Sequence, residues 1–79
     1  MTYEPVQVAA YSGYRGEQSP QSFMVAGKRV EVRKILECWI CEDEATGERS
    51  RCFRVKGDDM RVRILRYQER EGVWLMEER

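Results

Sequence analysis

The residues of this chain with the greatest chemical reactivity lie together in the segment ECWICEDEATGERSRC, at positions 37–52. The segment contains all three cysteines of the chain, two of them as Cys-x-x-Cys beside a run of acidic residues. Paired cysteines at this spacing hold structural zinc or form a redox pair in other proteins. Each of those uses also requires a particular set of neighbours.

A zinc site is not favoured by the other residues of the chain. Structural zinc requires four ligands, usually cysteine or histidine, with the paired thiols on a tight knuckle. The chain has three cysteines and no histidine, and Trp39 and Ile40 are poor knuckle residues. If the segment is a strand, Cys38 and Cys41 point to opposite faces. We therefore expect no metal and no cofactor, and we interpret the cysteines as apolar core or edge residues.

Catalytic arrangements are equally sparse. Without histidine there is no Ser-His or Cys-His pair, and no glycine-rich segment has the spacing of a phosphate-binding loop. A redox-active Cys-x-x-Cys requires a helix N-terminus in a βαβ setting, which nothing in the pattern indicates. Asp58 and Asp59 lie at a predicted turn, where neighbouring acids are normally solvated. The sequence thus predicts a protein without catalytic residues that is not an enzyme.

Length and charge limit the remaining possibilities. A chain of 79 residues forms one small domain, here residues 1–79. Its 14 basic and 14 acidic residues cancel, which disfavours a dedicated nucleic-acid binder but leaves room for a local basic patch. The odd cysteine count, without a recognisable signal peptide, indicates a reducing compartment. No apolar run is long enough to cross a bilayer. We expect a cytoplasmic protein with no membrane partner.

Alternating apolar and polar residues predict an all-β fold, a small antiparallel meander of about five to six strands curled into a barrel or open roll. Val6, Val8 and Ala10 predict the first strand, and a long loop at 11–22 follows. Gly27 is predicted at the turn of the next hairpin. Later turns are predicted at 45–47, 57–59 and 68–72, separating strands at 51–56, 60–64 and 73–77.

The segment 30–41 has two interpretations. Val32, Ile35, Leu36, Trp39 and Ile40 have the spacing of an apolar helical stripe. The density of β-branched and aromatic residues, and the lack of a helix cap, favour instead one long strand, bent or bulged near positions 33–34. With a turn at 45–47, Glu44 faces Glu48. That register predicts the pairs Trp39–Phe53, Ile40–Cys52, Cys41–Arg51 and Asp43–Arg49, with Trp39 as a core anchor and with Cys38 and Cys52 on one face.

The apolar and aromatic positions of the chain also form a loosely recognisable pattern: Pro20-x-x-Phe23, Gly27, Val32-x-x-Ile35-Leu36-x-x-Trp39, Phe53-x-Val55, Asp58, Ile64-Leu65 and Trp74-Leu75. The pattern resembles a family of small uncharacterised bacterial domains, similar to the C-terminal tail of some Y-family, error-prone-polymerase-like proteins. The resemblance spans about residues 11–76 and implies an all-β domain near DNA-repair machinery. It supplies no catalytic residues, and Cys38 and Cys41 are not part of it.

Basic residues are dense in the second half of the chain. Seven lie between positions 49 and 66, against Asp58 and Asp59. Arg61 and Arg63 share a face of one predicted strand, and two further cations share a face of its neighbour. If those faces coincide, a basic surface results, and small β-barrels bind single-stranded nucleic acid with such surfaces and aromatic platforms. The predicted nucleic-acid-binding residues are Arg54, Lys56, Arg61, Arg63 and Arg66, with Arg15 and Tyr14 from the long loop.

Two other interpretations stay open. The arginines can pair with acidic residues across strands, or simply keep the sheet soluble and its edge protected. Alternatively, the domain docks a protein partner through the 11–22 loop or an edge strand, which suits a net charge of zero.

Overall fold

The protein consists of seven β-strands in a computed structural model that describes residues 2–12 and 18–78. The described part of the chain contains no helix. The predicted all-β class is therefore confirmed, and no segment of these residues is a helix able to span a membrane. The strands are β1 (Thr2–Pro5), β2 (Val8–Ser12), β3 (Gln18–Val25), β4 (Lys28–Glu42), β5 (Arg49–Gly57), β6 (Val62–Gln68) and β7 (Val73–Glu78).

All seven strands belong to one antiparallel sheet, in the order β1-β7-β6-β5-β4-β3-β2. Strands β2 to β7 follow one another as a meander, whereas β1 pairs with β7 at the far end of the sheet. The backbone amide of Val6, between β1 and β2, donates a hydrogen bond to the carbonyl of Trp74 at 3.1 Å. The N-terminal segment thus joins both ends of the sheet, which curls into a half-barrel.

Strands occupy both ends of the segment predicted as a loop at 11–22. Strand β2 continues to Ser12 and β3 begins at Gln18. Pro20 lies inside β3, buried and opposite Ala10, where the register of the two strands shifts. Proline cannot donate a ladder hydrogen bond, and an irregular pairing accommodates it. Positions 13–17 of the predicted loop lie outside the described residues.

The long β4 is a strand, as preferred from the sequence, and not a helix. Its pairing with β5 is irregular at two places, between Val32 and Lys34 and between Ile35 and Glu37. The first irregularity lies at the bend predicted near positions 33–34, and the second was not predicted. Each adds one unpaired residue to β4, so the side chains beyond it change faces relative to a regular strand.

The hydrophobic core lies on one face of the curled sheet, which we call the inner face. Its buried apolar residues come from β3 to β7, and the rings of Phe53 and Trp74 contact each other at 5.7 Å between centroids. Tyr67 packs on the same tryptophan at 4.8 Å. Trp39 is half-buried and lies outside this cluster, so its predicted role as core anchor is wrong. The buried cluster is Phe23, Val30, Phe53, Val55, Leu65, Trp74 and Met76.

The turn between β4 and β5 determines which residues of the two strands face each other. The carboxylate of Asp43 accepts hydrogen bonds from the amides of Ala45 and Thr46, at 2.8 and 3.3 Å. Gly47, with φ of 72°, donates from its amide to the carbonyl of Asp43 at 2.7 Å. Because the amide of Asp43 also donates to the carbonyl of Glu48, Asp43 closes the hairpin, and not Glu44.

This longer turn shifts the hairpin by one residue from the predicted register. Trp39 lies opposite Cys52, and Phe53 lies opposite Cys38. A shift of one residue moves every side chain of a strand to the other face relative to its partner. The predicted pairs are therefore wrong, and the observed ones are Cys38–Phe53, Trp39–Cys52, Ile40–Arg51, Cys41–Ser50 and Glu42–Arg49.

Candidate nucleic-acid interface

The three cysteines lie on both faces of the hairpin formed by β4 and β5. Cys38 lies opposite the inner-face residue Phe53 and Cys41 lies opposite Ser50, so these two thiols point apart, as predicted. The prediction that Cys38 shares a face with Cys52 is wrong, because Cys52 shares the face of Cys41. The Cys52 thiol donates a hydrogen bond to the Cys41 sulfur at 3.5 Å.

The chemistry of this thiol pair is limited by burial. Cys52 is 1% exposed. Its burial, and next the hydrogen bond to Cys41, raise the pKa of the Cys52 thiol from 9.0 to about 12. A thiol that stays protonated at neutral pH is a poor nucleophile and a poor metal ligand. Among residues 2–12 and 18–78, no group of three or more histidine, cysteine or acidic side chains is arranged to hold a metal ion.

The predicted cluster of four cations is divided between the two faces of the sheet. In the pairing of β5 with β6, Arg63 lies opposite Val55, which is fully buried in the core. Arg54 lies opposite Ile64 and Lys56 opposite Val62, on the other side, which we call the outer face. Directly opposed residues of antiparallel strands share a face. The two predicted pairs of cations therefore do not share one face of the sheet.

Arg63 lies on the inner face, where it contacts an acidic side chain and an aromatic ring. Its guanidinium donates two hydrogen bonds to the Asp59 carboxylate, at 3.2 and 2.7 Å, and lies 5.4 Å from the centre of the Phe23 ring. The side chain is only 13% exposed. Hydrogen bonding from Arg63, assisted by the Arg61 backbone amide, lowers the pKa of Asp59 from 3.8 to about 2. This cation is already neutralised by a fixed partner.

The other predicted binding residues have different positions. Arg61 is exposed in the segment before β6. Arg66 lies on the outer face with its guanidinium 5.2 Å from the centre of the Tyr3 ring, and its buried Nε has no hydrogen-bond partner. Arg15 and Tyr14 lie outside the described residues.

A cation that was not predicted joins the outer face. Lys34 lies directly opposite Lys56, because the irregularity of β4 at Arg33 turns Lys34 to this side. Like charges in directly opposed positions destabilise a sheet. The pattern of the sequence contains no signal for this pair, since a regular alternation gives Lys34 the face of Val30 and Val32. On this face, residues 34–42 of β4 together with β5 and β6 carry four cations, Lys34, Arg54, Lys56 and Arg66, against one acid, Glu37, and β7 adds the acid Glu77 opposite Tyr3.

Two aromatic side chains border these cations. Trp39, Cys52, Arg66 and Leu75 form one row across the outer face, with the half-buried indole at the β4 end. Tyr3 of β1 lies at the opposite end beside Arg66 and is 36% exposed. We call the surface formed by these aromatic and basic side chains the outer basic face. It consists of Tyr3, Lys34, Trp39, Arg54, Lys56 and Arg66.

The outer basic face continues into an open groove where β6 and β7 separate. Their pairing ends at Leu65 and Met76, and beyond it lies a cavity of about 590 Å³. Arg54 belongs to both the outer face and the groove, so the two are contiguous. Arg61 and Arg63 also line the cavity, together with the acidic residue Glu77 and with apolar residues such as Val62. Three of the five basic residues predicted between positions 54 and 66 (Arg54, Arg61 and Arg63) therefore line the same cavity, although they do not share one face of the sheet.

Neither a protein-family model, nor a curated protein, nor a solved structure matches this chain. The resemblance to small bacterial domains and to polymerase C-terminal tails therefore stays a prediction. The function of the chain has to follow from its own surface.

Proposed function

We propose that the outer basic face binds single-stranded nucleic acid and that the protein acts by binding, without catalysis. The observation that carries this proposal is the directly opposed pair of Lys34 and Lys56. Neither lysine forms a salt bridge with a described residue. Two cations held side by side disfavour the unbound sheet, and a phosphate placed between them removes that repulsion.

The neighbouring side chains support a nucleic acid rather than a small anion. Arg66 extends the positive charge to β6, and Arg54, two residues from Lys56 along β5, lies between them in an exposed pair with Glu37 at 2.9 Å. Trp39 and Tyr3 offer ring faces on which bases can stack, as on the sheets that bind single strands without sequence preference. The surface is an open sheet without a projecting helix, which fits unpaired bases better than the major groove of a duplex.

Fluorescence anisotropy with labelled oligothymidine and oligouridine tests this proposal. For the wild-type protein we expect affinity that falls steeply as salt is raised, because phosphate contacts release counterions. The variant Lys56→Ala removes one contact, and the slope of log affinity against log salt should decrease by about 1. Lys28→Ala is the matched control, since Lys28 is an exposed cation at the β3–β4 turn, outside the outer basic face.

The aromatic contribution is measured in the same assay. Trp39→Ala should weaken binding by about 1–3 kcal/mol at every salt concentration, because a stacked base is lost and no charge is removed. Absence of binding at low salt contradicts the proposal. So does an equal effect of Lys28→Ala and Lys56→Ala, which would place the contact elsewhere on the protein.

A further inference from the structure

Most of β4 is an edge of the sheet on the side away from β5. The pairing of β3 with β4 extends only to Ser22 and Glu31. From Val32 to Glu42 the pairing of β4 is with β5 alone, and no other described strand lies along its free side. Such an edge presents unpaired backbone N–H and C=O groups to any strand that can align with them.

The two halves of this edge differ in their protection against pairing. The irregularities at Arg33 and Leu36 interrupt the first half, and Lys34 adds charge. Both are features that keep edge strands from associating. Residues 37–42 pair regularly with β5 and carry no such interruption. Ile40 is 54% exposed and Leu36 is 40% exposed, so this half offers apolar side chains as well as backbone groups.

The charges of β4 are opposite at its two ends. Arg33 and Lys34 precede the apolar segment, and the acidic residues at 42–44 follow it. Cys38 lies midway between the two charged groups. A second copy of the strand in antiparallel orientation would bring each basic group against an acidic group, whereas a parallel copy would oppose like charges.

We propose that two copies of this chain pair through β4, antiparallel, about a two-fold axis at Cys38. The pairing joins the two half-barrels into one continuous sheet and satisfies the free backbone groups of residues 36–40 in each copy. Leu36 and Ile40 of one copy lie beside Ile40 and Leu36 of the other, which covers the exposed apolar side chains. This interface is self-complementary, as a two-fold dimer requires. The interface uses backbone groups at the edge of the sheet, whereas the outer basic face uses side chains, and Lys34 and Trp39 of β4 belong to both.

Charge reversal tests the orientation of this dimer. In the variant Arg33→Glu/Lys34→Glu both ends of β4 are acidic, and in Glu42→Lys/Glu44→Lys both carry net positive charge. Asp43 is kept because its carboxylate holds the turn. By sedimentation velocity we expect the wild-type protein to be a dimer and each variant alone to be a monomer. An equimolar mixture of the two variants should form a heterodimer, because every contact between charged ends is again between opposite charges. Circular dichroism confirms that the monomeric variants are folded.

The position of the axis is tested at Cys38. A short bis-maleimide should link two wild-type copies through this exposed thiol, and Cys38→Ser should abolish the linked dimer while sedimentation still shows the non-covalent one. A wild-type protein that stays monomeric at millimolar concentration overturns the proposal. A dimer that survives both charge reversals, or that is not linked at Cys38, overturns the pairing through β4.

Discussion

At the scale of single residues, the basic side chains differ in whether the fold already neutralises them. Arg63 is held by Asp59 and Arg54 contacts Glu37 at 2.9 Å. The Arg54 pair is exposed, and exposed ion pairs contribute little to stability. Lys34 and Lys56 face each other instead of an acid. The positive charge available to a ligand is therefore concentrated at the two lysines, whereas Arg63 is held in its ion pair with Asp59.

The pair of Arg63 and Asp59 predicts a specific dependence on pH. The pKa of Asp59 is about 2 in the folded protein and 3.8 ordinarily, so the folded state favours the charged carboxylate. The resulting stabilisation is complete above pH 3.8 and is lost as the pH falls through 2. In Arg63→Gln the largest cause of the shift is removed, and the Asp59 pKa should rise towards 3.8. Carboxyl NMR titration measures it directly.

Arg61→Gln is the control for this titration. Arg61 contacts Asp59 through its backbone amide, at 3.1 Å, which a change of side chain leaves in place. The Asp59 pKa should therefore stay close to its low value in Arg61→Gln. An equal rise of the Asp59 pKa in the two variants would mean that nearby positive charge of any kind, and not the two hydrogen bonds from Arg63, lowers this pKa.

At the scale of the strands, a close contact positions the start of β4 against the end of β5. Gly57 lies opposite Val32, and a Cβ atom placed on Gly57 would be 2.5 Å from Cγ1 of Val30 and 2.8 Å from the Asp59 carboxylate. Only a residue without a side chain allows this approach. The contact lies next to the irregularity that turns Lys34 outwards, so the packing of Gly57 also supports the outer basic face.

Gly57→Ala should destabilise the protein by about 1–3 kcal/mol, because the added methyl group overpacks the core at Val30. In the double variant Gly57→Ala/Val30→Ala the clash with Val30 is absent, although the close contact with the Asp59 carboxylate remains. The combined loss should therefore be smaller than the sum of the single losses. Urea denaturation measures the free energy of unfolding of the wild-type protein, the two single variants and the double variant.

Gly47→Ala is the control for this comparison of single and double variants. A Cβ on Gly47 meets no atom within 4 Å, although its φ of 72° strains any other residue. Combined with Val30→Ala, its effect should be additive. Additivity also for Gly57→Ala would show that the close approach to Val30 does not limit that position.

At the scale of the whole molecule, the half-barrel encloses a core to which strands β3 to β7 contribute side chains. Trp74 is central to it, in ring contact with both Phe53 and Tyr67 and 8% exposed. The hydrogen bond from the Val6 amide to the Trp74 carbonyl also links Trp74 to the N-terminal segment. Trp39 lies on the outer face, directly opposite Cys52 and on the same face as the cations.

The two tryptophans should therefore respond differently to truncation. Trp74→Ala should lower the free energy of unfolding by about 3–5 kcal/mol, as expected for a large buried aromatic residue. Trp39→Ala should cost clearly less and leave the cooperative unfolding transition intact. Urea denaturation monitored by circular dichroism measures both, because the backbone signal of the strands remains when either indole is removed.

Trp74→Phe keeps most of the ring contacts and serves as the control if Trp74→Ala does not fold. It should retain the transition with an intermediate loss. If Trp39→Ala proves the more destabilising of the two alanine variants, the core is centred on the hairpin of β4 and β5, and the described packing is wrong.

The sequence by itself determined the elements of this protein. Alternation in β5 and β6, glycines at the turns, and dense β-branched residues in β4 predicted the strands of the meander and the bend near positions 33–34, whereas β1 (Thr2–Pro5) was not predicted. These are local preferences, since a pleated strand displays every second residue and tight turns require particular residues. The separation of Cys38 and Cys41 followed for the same reason.

Only the tertiary structure decided which faces these strands share. The hydrogen bonds of Asp43 lengthen one turn and shift the hairpin by a residue, which separates Trp39 from Phe53. The irregularity at Arg33 turns Lys34 towards Lys56, and the register of β5 with β6 directs Arg63 into the core. A change of one residue in turn or strand reverses the direction of every side chain beyond it, and alternation alone carries no information about such a change. The elements were therefore predictable from local patterns, whereas the candidate site depended on contacts between strands.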